Sequence, residues 1–99
     1  VFTDAALPAA TLDRLLREAA DDTLNMLSVD GDTSTSDTCV LMANGLAGAV
    51  DEEAFRRALG EGCRRMTELL ARDGEGATRL LRTTARGAKD VTEARRIAR

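Results

Sequence analysis

Along the first quarter of the chain, Leu12, Leu15, Leu16 and Ala19, with Thr23, return at intervals of three and four, while Arg14, Arg17, Glu18, Asp21 and Asp22 fill the opposite face. This spacing predicts a helix over 8–25, with Pro8 in its first turn. Leu24, Met26, Leu27 and Val29 close it against the core, and residues 30–38 then switch to an unbroken run of small, hydroxylated or acidic side chains. Ser, Thr and Asp hydrogen-bond to nearby backbone, so this run predicts an ordered loop. Residues 38–44 are β-branched or apolar almost throughout and predict a strand buried on both faces. Asn44-Gly45-Leu46-Ala47-Gly48 follows as a flexible connection.

Asp51 opens a second helix, with Val50 and Phe55 at the positions of a hydrophobic staple. Its apolar stripe is Phe55, Ala58, Leu59, Cys63, Met66, Leu69 and Leu70, its last turn holds Arg72, and Gly74 suits a left-handed terminating residue. Residues 78–86 predict a half-polar strand, with Arg79, Arg82 and Arg86 marking an edge or a face against another chain. Asp90 and Glu93 have capping-box spacing and start a short helix with Ile97 on its apolar side. At the other end Val1-Phe2-Thr3 reads as the tail of a strand that begins before the sequence does. The pattern predicts an α/β fold, a mixed sheet packed by helices, in one domain over residues 1–99 that is itself a piece of a larger protein.

Composition narrows this further. Apolar residues make up 43% of the 99 positions but aromatics only 2%, so the core is built from Leu, Val, Met and Ala. A domain of this size buries only roughly two thirds of its extended-chain surface, and a partner surface would complete it. The net charge of −3 divides unevenly: fifteen acidic residues face seven arginines through residue 75, and seven basic residues face two acidic ones after it. A basic end can attract nucleic acid, but no aromatic after Phe55 is present to stack a base and the overall balance is acidic. No nucleic-acid partner is expected. The chain has no histidine, and Cys39 and Cys63 lack CxxC spacing, which removes the usual zinc sites and any Ser-His-Asp or Cys-His machinery. Both cysteines read as buried, reduced thiols, in keeping with a cytoplasmic protein. No apolar run reaches the length that spans a bilayer, so no membrane partner is expected.

The 30–38 run invites two readings that fail. Asp30-Gly31-Asp32 has the spacing of a phosphatase loop with two aspartates flanking one residue, but Lys89 is the sole lysine and no later acidic pair could hold the metal. Read as a calcium loop from Asp30, the sixth position is Thr35 where glycine is needed, and the twelfth is Leu41 where glutamate is needed. No metal site is expected.

A third reading covers nearly the whole chain. Thr3-Asp4-Ala5, the run Val29 to Thr38 with Leu41-Met42-Ala43-Asn44-Gly45 after it, and Asp73-Gly74-Glu75-Gly76-Ala77 resemble, in order and separation, the β chain of the ornithine acetyltransferase family, the bifunctional glutamate N-acetyltransferases of arginine biosynthesis. The resemblance implies a layered α-β-β-α fold and a precursor that cleaves itself before a threonine, which then becomes the nucleophile. That threonine and the oxyanion-hole residues of the α chain lie outside these 99 residues, so the chain alone is expected to be inactive and to hold no catalytic residue. Thr3 matches a later segment and is not the nucleophile. The implied reaction moves acetyl from N-acetylornithine to glutamate through an acetyl-threonyl enzyme, without a cofactor, and some members accept acetyl-coenzyme A. The implied partner is the α chain of the same precursor in a hetero-oligomer. Glu75 is the position that matches a substrate-binding residue, and a carboxylate between two glycines suits capture of an ammonium group. The 30–38 loop supports the nucleophile region through local hydrogen bonds. The family carries lysine where Arg79 stands and a more apolar strand after it. The competing expectation is a non-catalytic α/β assembly or interaction module built on the same scaffold.

Overall fold

A computed structural model of the chain describes residues 1–29, 31 and 34–99; Asp30, Asp32 and Thr33 lie outside the described residues. The chain runs β1 (Phe2–Ala6), α1 (Ala9–Asp21), a 3-10 turn (Leu24–Met26), β2 (Met42–Ala49), α2 (Glu52–Arg72) and α3 (Val91–Ala98). β1 and β2 pair in parallel. Parallel neighbours cannot be joined by a tight turn, and α1 with the following loop provides the crossover.

β2 departs from the expected strand. It begins at Met42 and runs through the Asn44–Gly48 stretch that the sequence predicts as a flexible connection, while residues 38–41 lie outside it. The reason is local. Pairing advances from Thr3 to Ala5 on β1 but from Ala43 to Gly48 on β2, so β2 bulges. The Asn44 side chain accepts a hydrogen bond from the Leu46 N–H at 3.0 Å, and Gly45 and Gly48 take φ of +76° and +75°, which a side chain would resist. Nor is the strand buried on both faces: Leu46 is 84% exposed, and on β1 Phe2, which pairs with Met42, is 85% exposed. Cys39, placed by the sequence in a buried strand, is exposed for the same reason, whereas Cys63 is buried as expected.

The core lies between the two long helices. Leu15 and Ala19 of α1 meet Leu59 and Cys63 of α2, flanked by Leu7, Leu41, Phe55 and Met66. Thr23 is buried with them, and its hydroxyl donates to the Ala19 carbonyl at 2.6 Å, so no polar atom is stranded. Burial pushes the Cys63 thiol up from its ordinary value.

Helix ends follow the sequence. The Asp51 carboxylate accepts from the Ala54 N–H at 2.6 Å, with Glu52 and Glu53 in the first turn and Arg72 in the last, as a helix dipole favours. Asp51→Ala is expected to cost about 1 kcal/mol, read as a shift of the denaturant midpoint. At α3 the Asp90 carboxylate accepts from the Glu93 N–H at 2.8 Å, while Glu93 reaches back to the Lys89 N–H at 2.7 Å. α1 closes earlier than the predicted 8–25, at Asp21, because the chain tightens into the 3-10 turn.

The segment expected as a strand over 78–86 forms no strand. It is tethered instead by Arg82, which pairs with Glu68 of α2; further along the chain, Arg95 of α3 pairs with Asp22. Arg14 joins Glu18 of its own helix and Glu52 of α2 at 3.0 and 2.6 Å. The remaining pairs are one turn apart on helix surfaces and contribute little each. Hydrogen bonds from Arg17 and Arg56 lower the Asp13 and Glu53 carboxyls below their ordinary 3.8 and 4.5. Their small stabilisation is therefore present above those values and is lost as pH falls below them.

Candidate functional site

The site is built from the end of α2. The Asp73 N–H closes the helix on the Leu69 and Leu70 carbonyls at 3.0 and 3.2 Å. The Ala77 N–H then donates to the Gly74 carbonyl at 2.9 Å, closing a four-residue turn with Glu75 and Gly76 at its tip. Gly76 takes φ of +73°, which its third position in the turn favours. The sequence assigns the left-handed role to Gly74, yet Gly74 is not among the positive-φ residues. Its role is spatial: a Cβ placed there would stand 3.1 Å from Val29 Cγ1 and 3.5 Å from Ala77 Cβ.

Glu75 is thereby presented on a short, closed turn. Its side chain is exposed and makes no hydrogen bond or ion pair among the described residues. A carboxylate so held is free to accept from a cation brought by a ligand or by another chain segment. Val29 and Ala77, which flank the turn, also line an open groove of about 620 Å³ between α2 and the 78–83 segment. Arg79 and Arg82 line that groove, but Glu75 does not.

The acidic-hydroxyl loop enters at Val29. Among its described residues, the Ser36 N–H donates to the Ser34 hydroxyl at 3.1 Å and the Thr38 hydroxyl to the Ser36 carbonyl at 3.4 Å. These are the local hydrogen bonds expected of such a run. Asp30 and Asp32, on which the phosphatase and calcium readings turn, lie outside the described residues. Among the described residues no group of three acidic or cysteine side chains could hold a metal. Among the described residues no helix is long and apolar enough to cross a membrane.

Sequence reasoning missed the meeting of Val29 with Gly74. Forty-five positions separate them, and no periodicity links a loop entrance to a helix exit. It also missed that Asn44-Gly45 shapes a bulge, although an Asn-Gly pair within an apolar run carries the signal for a turn.

Comparison with known proteins bears on this geometry. The ArgJ family model matches residues 1–99. The arginine biosynthesis bifunctional protein ArgJ of Rhodococcoides fascians is 50% identical over 95 residues, covering 96% of this chain and 24% of that protein. Glutamate N-acetyltransferase Oat2 of Streptomyces clavuligerus is 47% identical over 97 residues, covering 98% of this chain and 25% of its own length. The crystal structure of arginine biosynthesis bifunctional protein argJ from Bacillus halodurans superposes with a TM-score of 0.94 at 39% identity, covering 99% of this chain and 49% of that one. That likeness bears out the α/β architecture expected from the sequence. The chain spans about a quarter of the length of the curated relatives it matches. On a family match over its full length, and in agreement with the motifs around Thr3, the 29–45 region and Glu75, the chain belongs to the ArgJ family.

Proposed function

We propose that this chain is part of an acyltransferase that moves an acetyl group from N-acetylornithine to glutamate, and that Glu75 binds the substrate's ammonium group. The observation that carries the reading is the exposed Glu75 carboxylate, unpaired among the described residues, at the tip of the Gly74–Ala77 turn in a chain of the ArgJ family. N-acetylornithine keeps a cationic side-chain ammonium, and a carboxylate on a rigid turn meets it with a charge-assisted hydrogen bond.

The chemistry needs no cofactor. A threonine outside this chain, its hydroxyl proton taken up by its own α-amino group, attacks the acetyl carbonyl. The carbonyl-to-nitrogen bond breaks, ornithine leaves as the amine after accepting the proton, and acetyl remains as an ester on the threonine. The amino group of glutamate then attacks that ester, forms N-acetylglutamate and returns the threonine hydroxyl. One covalent intermediate thus lets a single site serve two amino acids in turn. Self-cleavage of a precursor frees the threonine, and the resulting α chain is the partner of the β chain to which residues 1–99 belong, in a cytoplasmic hetero-oligomer. The exposure of Phe2 and Leu46 on the two-stranded sheet supports such a partner, since apolar side chains of this size favour cover.

Mass mapping of the full-length protein after incubation with N-acetylornithine tests the reading. The acetyl group is expected on a threonine that is the first residue of a cleaved chain. Acetyl found on a residue within 1–99, or an uncleaved protein that turns over normally, would contradict it.

A further inference from the structure

We propose that Val29 and Gly74 form a seat that positions Glu75 for the ammonium group of its substrate, an inference that rests on the role given to Glu75 above. Two observations carry it. Gly74 does not need glycine for its backbone, because its φ is not in the left-handed region. It needs glycine for space, because a Cβ there would stand 3.1 Å from Val29 Cγ1, closer than packed carbon atoms sit.

Val29 is suited to this part. It is β-branched, so its methyl groups are held in few rotamers. It stands at the mouth of the acidic-hydroxyl loop, so one contact ties the loop entrance to the helix exit. Gly74 precedes Glu75 directly, and its carbonyl closes the turn on the Ala77 N–H at 2.9 Å. Ala77 Cβ, within the turn itself, would stand at ordinary contact distance, 3.5 Å, from a side chain at position 74. A displacement of Gly74 by a few tenths of an ångström therefore passes into the placement of the Glu75 carboxylate.

The test is a paired substitution in the full-length protein, with steady-state kinetics for N-acetylornithine and a thermal unfolding midpoint. Gly74→Ala is expected to raise KM about fivefold and to change kcat by less than about twofold. Adding Val29→Ala removes the opposing methyl groups, and the double variant is expected to return to within about twofold of the parent KM. A purely structural role predicts instead that the unfolding midpoint falls in Gly74→Ala and recovers in the double variant while KM stays at the parent value. A double variant as impaired as Gly74→Ala would overturn the proposal. So would an unchanged KM in Gly74→Ala beside a raised KM in Glu75→Ala, and that outcome would leave the role of Glu75 intact. An unchanged KM in Glu75→Ala would remove both.

Discussion

Glu75→Ala in the full-length protein is expected to lower kcat/KM for N-acetylornithine by one to two orders of magnitude and to leave precursor cleavage intact. The direction follows from what the substitution removes. The Gly74–Ala77 turn offers a single carboxylate, and the substrate's ammonium group would lose its charged partner. Glu75→Gln keeps the shape and one acceptor oxygen while removing the charge, so it should fall between parent and alanine. The loss should appear mainly in KM, because the same pairing holds ground state and transition state alike. On the proposed reading the bond that breaks and the group that attacks it lie outside residues 1–99, so cleavage should proceed. A Glu75→Ala protein that fails to cleave would show that the residue supports the fold of the precursor instead.

Leu15→Ala is expected to destabilise the protein by about 3 kcal/mol, measured by chemical denaturation. Leu15 and Cys63 are each 0% exposed, and with Ala19 and Leu59 they are the buried cluster that joins α1 to α2. Removing the larger part of the Leu15 side chain leaves a cavity walled by helices that are themselves pinned by the Arg14–Glu52 pair and by Arg95–Asp22. Such walls collapse only in part, which is why the cost exceeds that of transferring the lost methyl groups. Leu15→Met, which nearly conserves volume, should cost less than about 1.5 kcal/mol. An equal loss for both would mean that shape rather than cavity volume limits this core.

The helices were legible in the sequence because their signals are local. Periodic apolar positions predict α1 and α2, and the carboxylates of Asp51 and Asp90 cap the helices they precede, as the spacing to Ala54 and Glu93 requires. The sheet was harder to read. The run from Cys39 to Ala43 is apolar enough for a buried strand, but pairing with β1 begins only at Met42 and continues through a bulge set by Asn44. Apolarity marks surface that favours cover, and in this chain Phe2, Met42 and Leu46 stay exposed. The 78–86 segment fails as a strand for a related reason. Among the described residues no neighbouring strand pairs with it, and Arg82 finds a carboxylate on α2. Glu75 is proposed from the resemblance and from its two glycines, yet the distinct duties of those glycines needed coordinates. Gly76 serves the turn's φ, whereas Gly74 makes room for Val29.

The most direct measurement is a crystal structure of the full-length protein with ornithine bound. The account predicts the Glu75 carboxylate within hydrogen-bonding distance of the ligand's side-chain ammonium, with the attacking threonine contributed from outside residues 1–99. Ornithine held at its ammonium by another residue, with Glu75 turned to solvent, would contradict it.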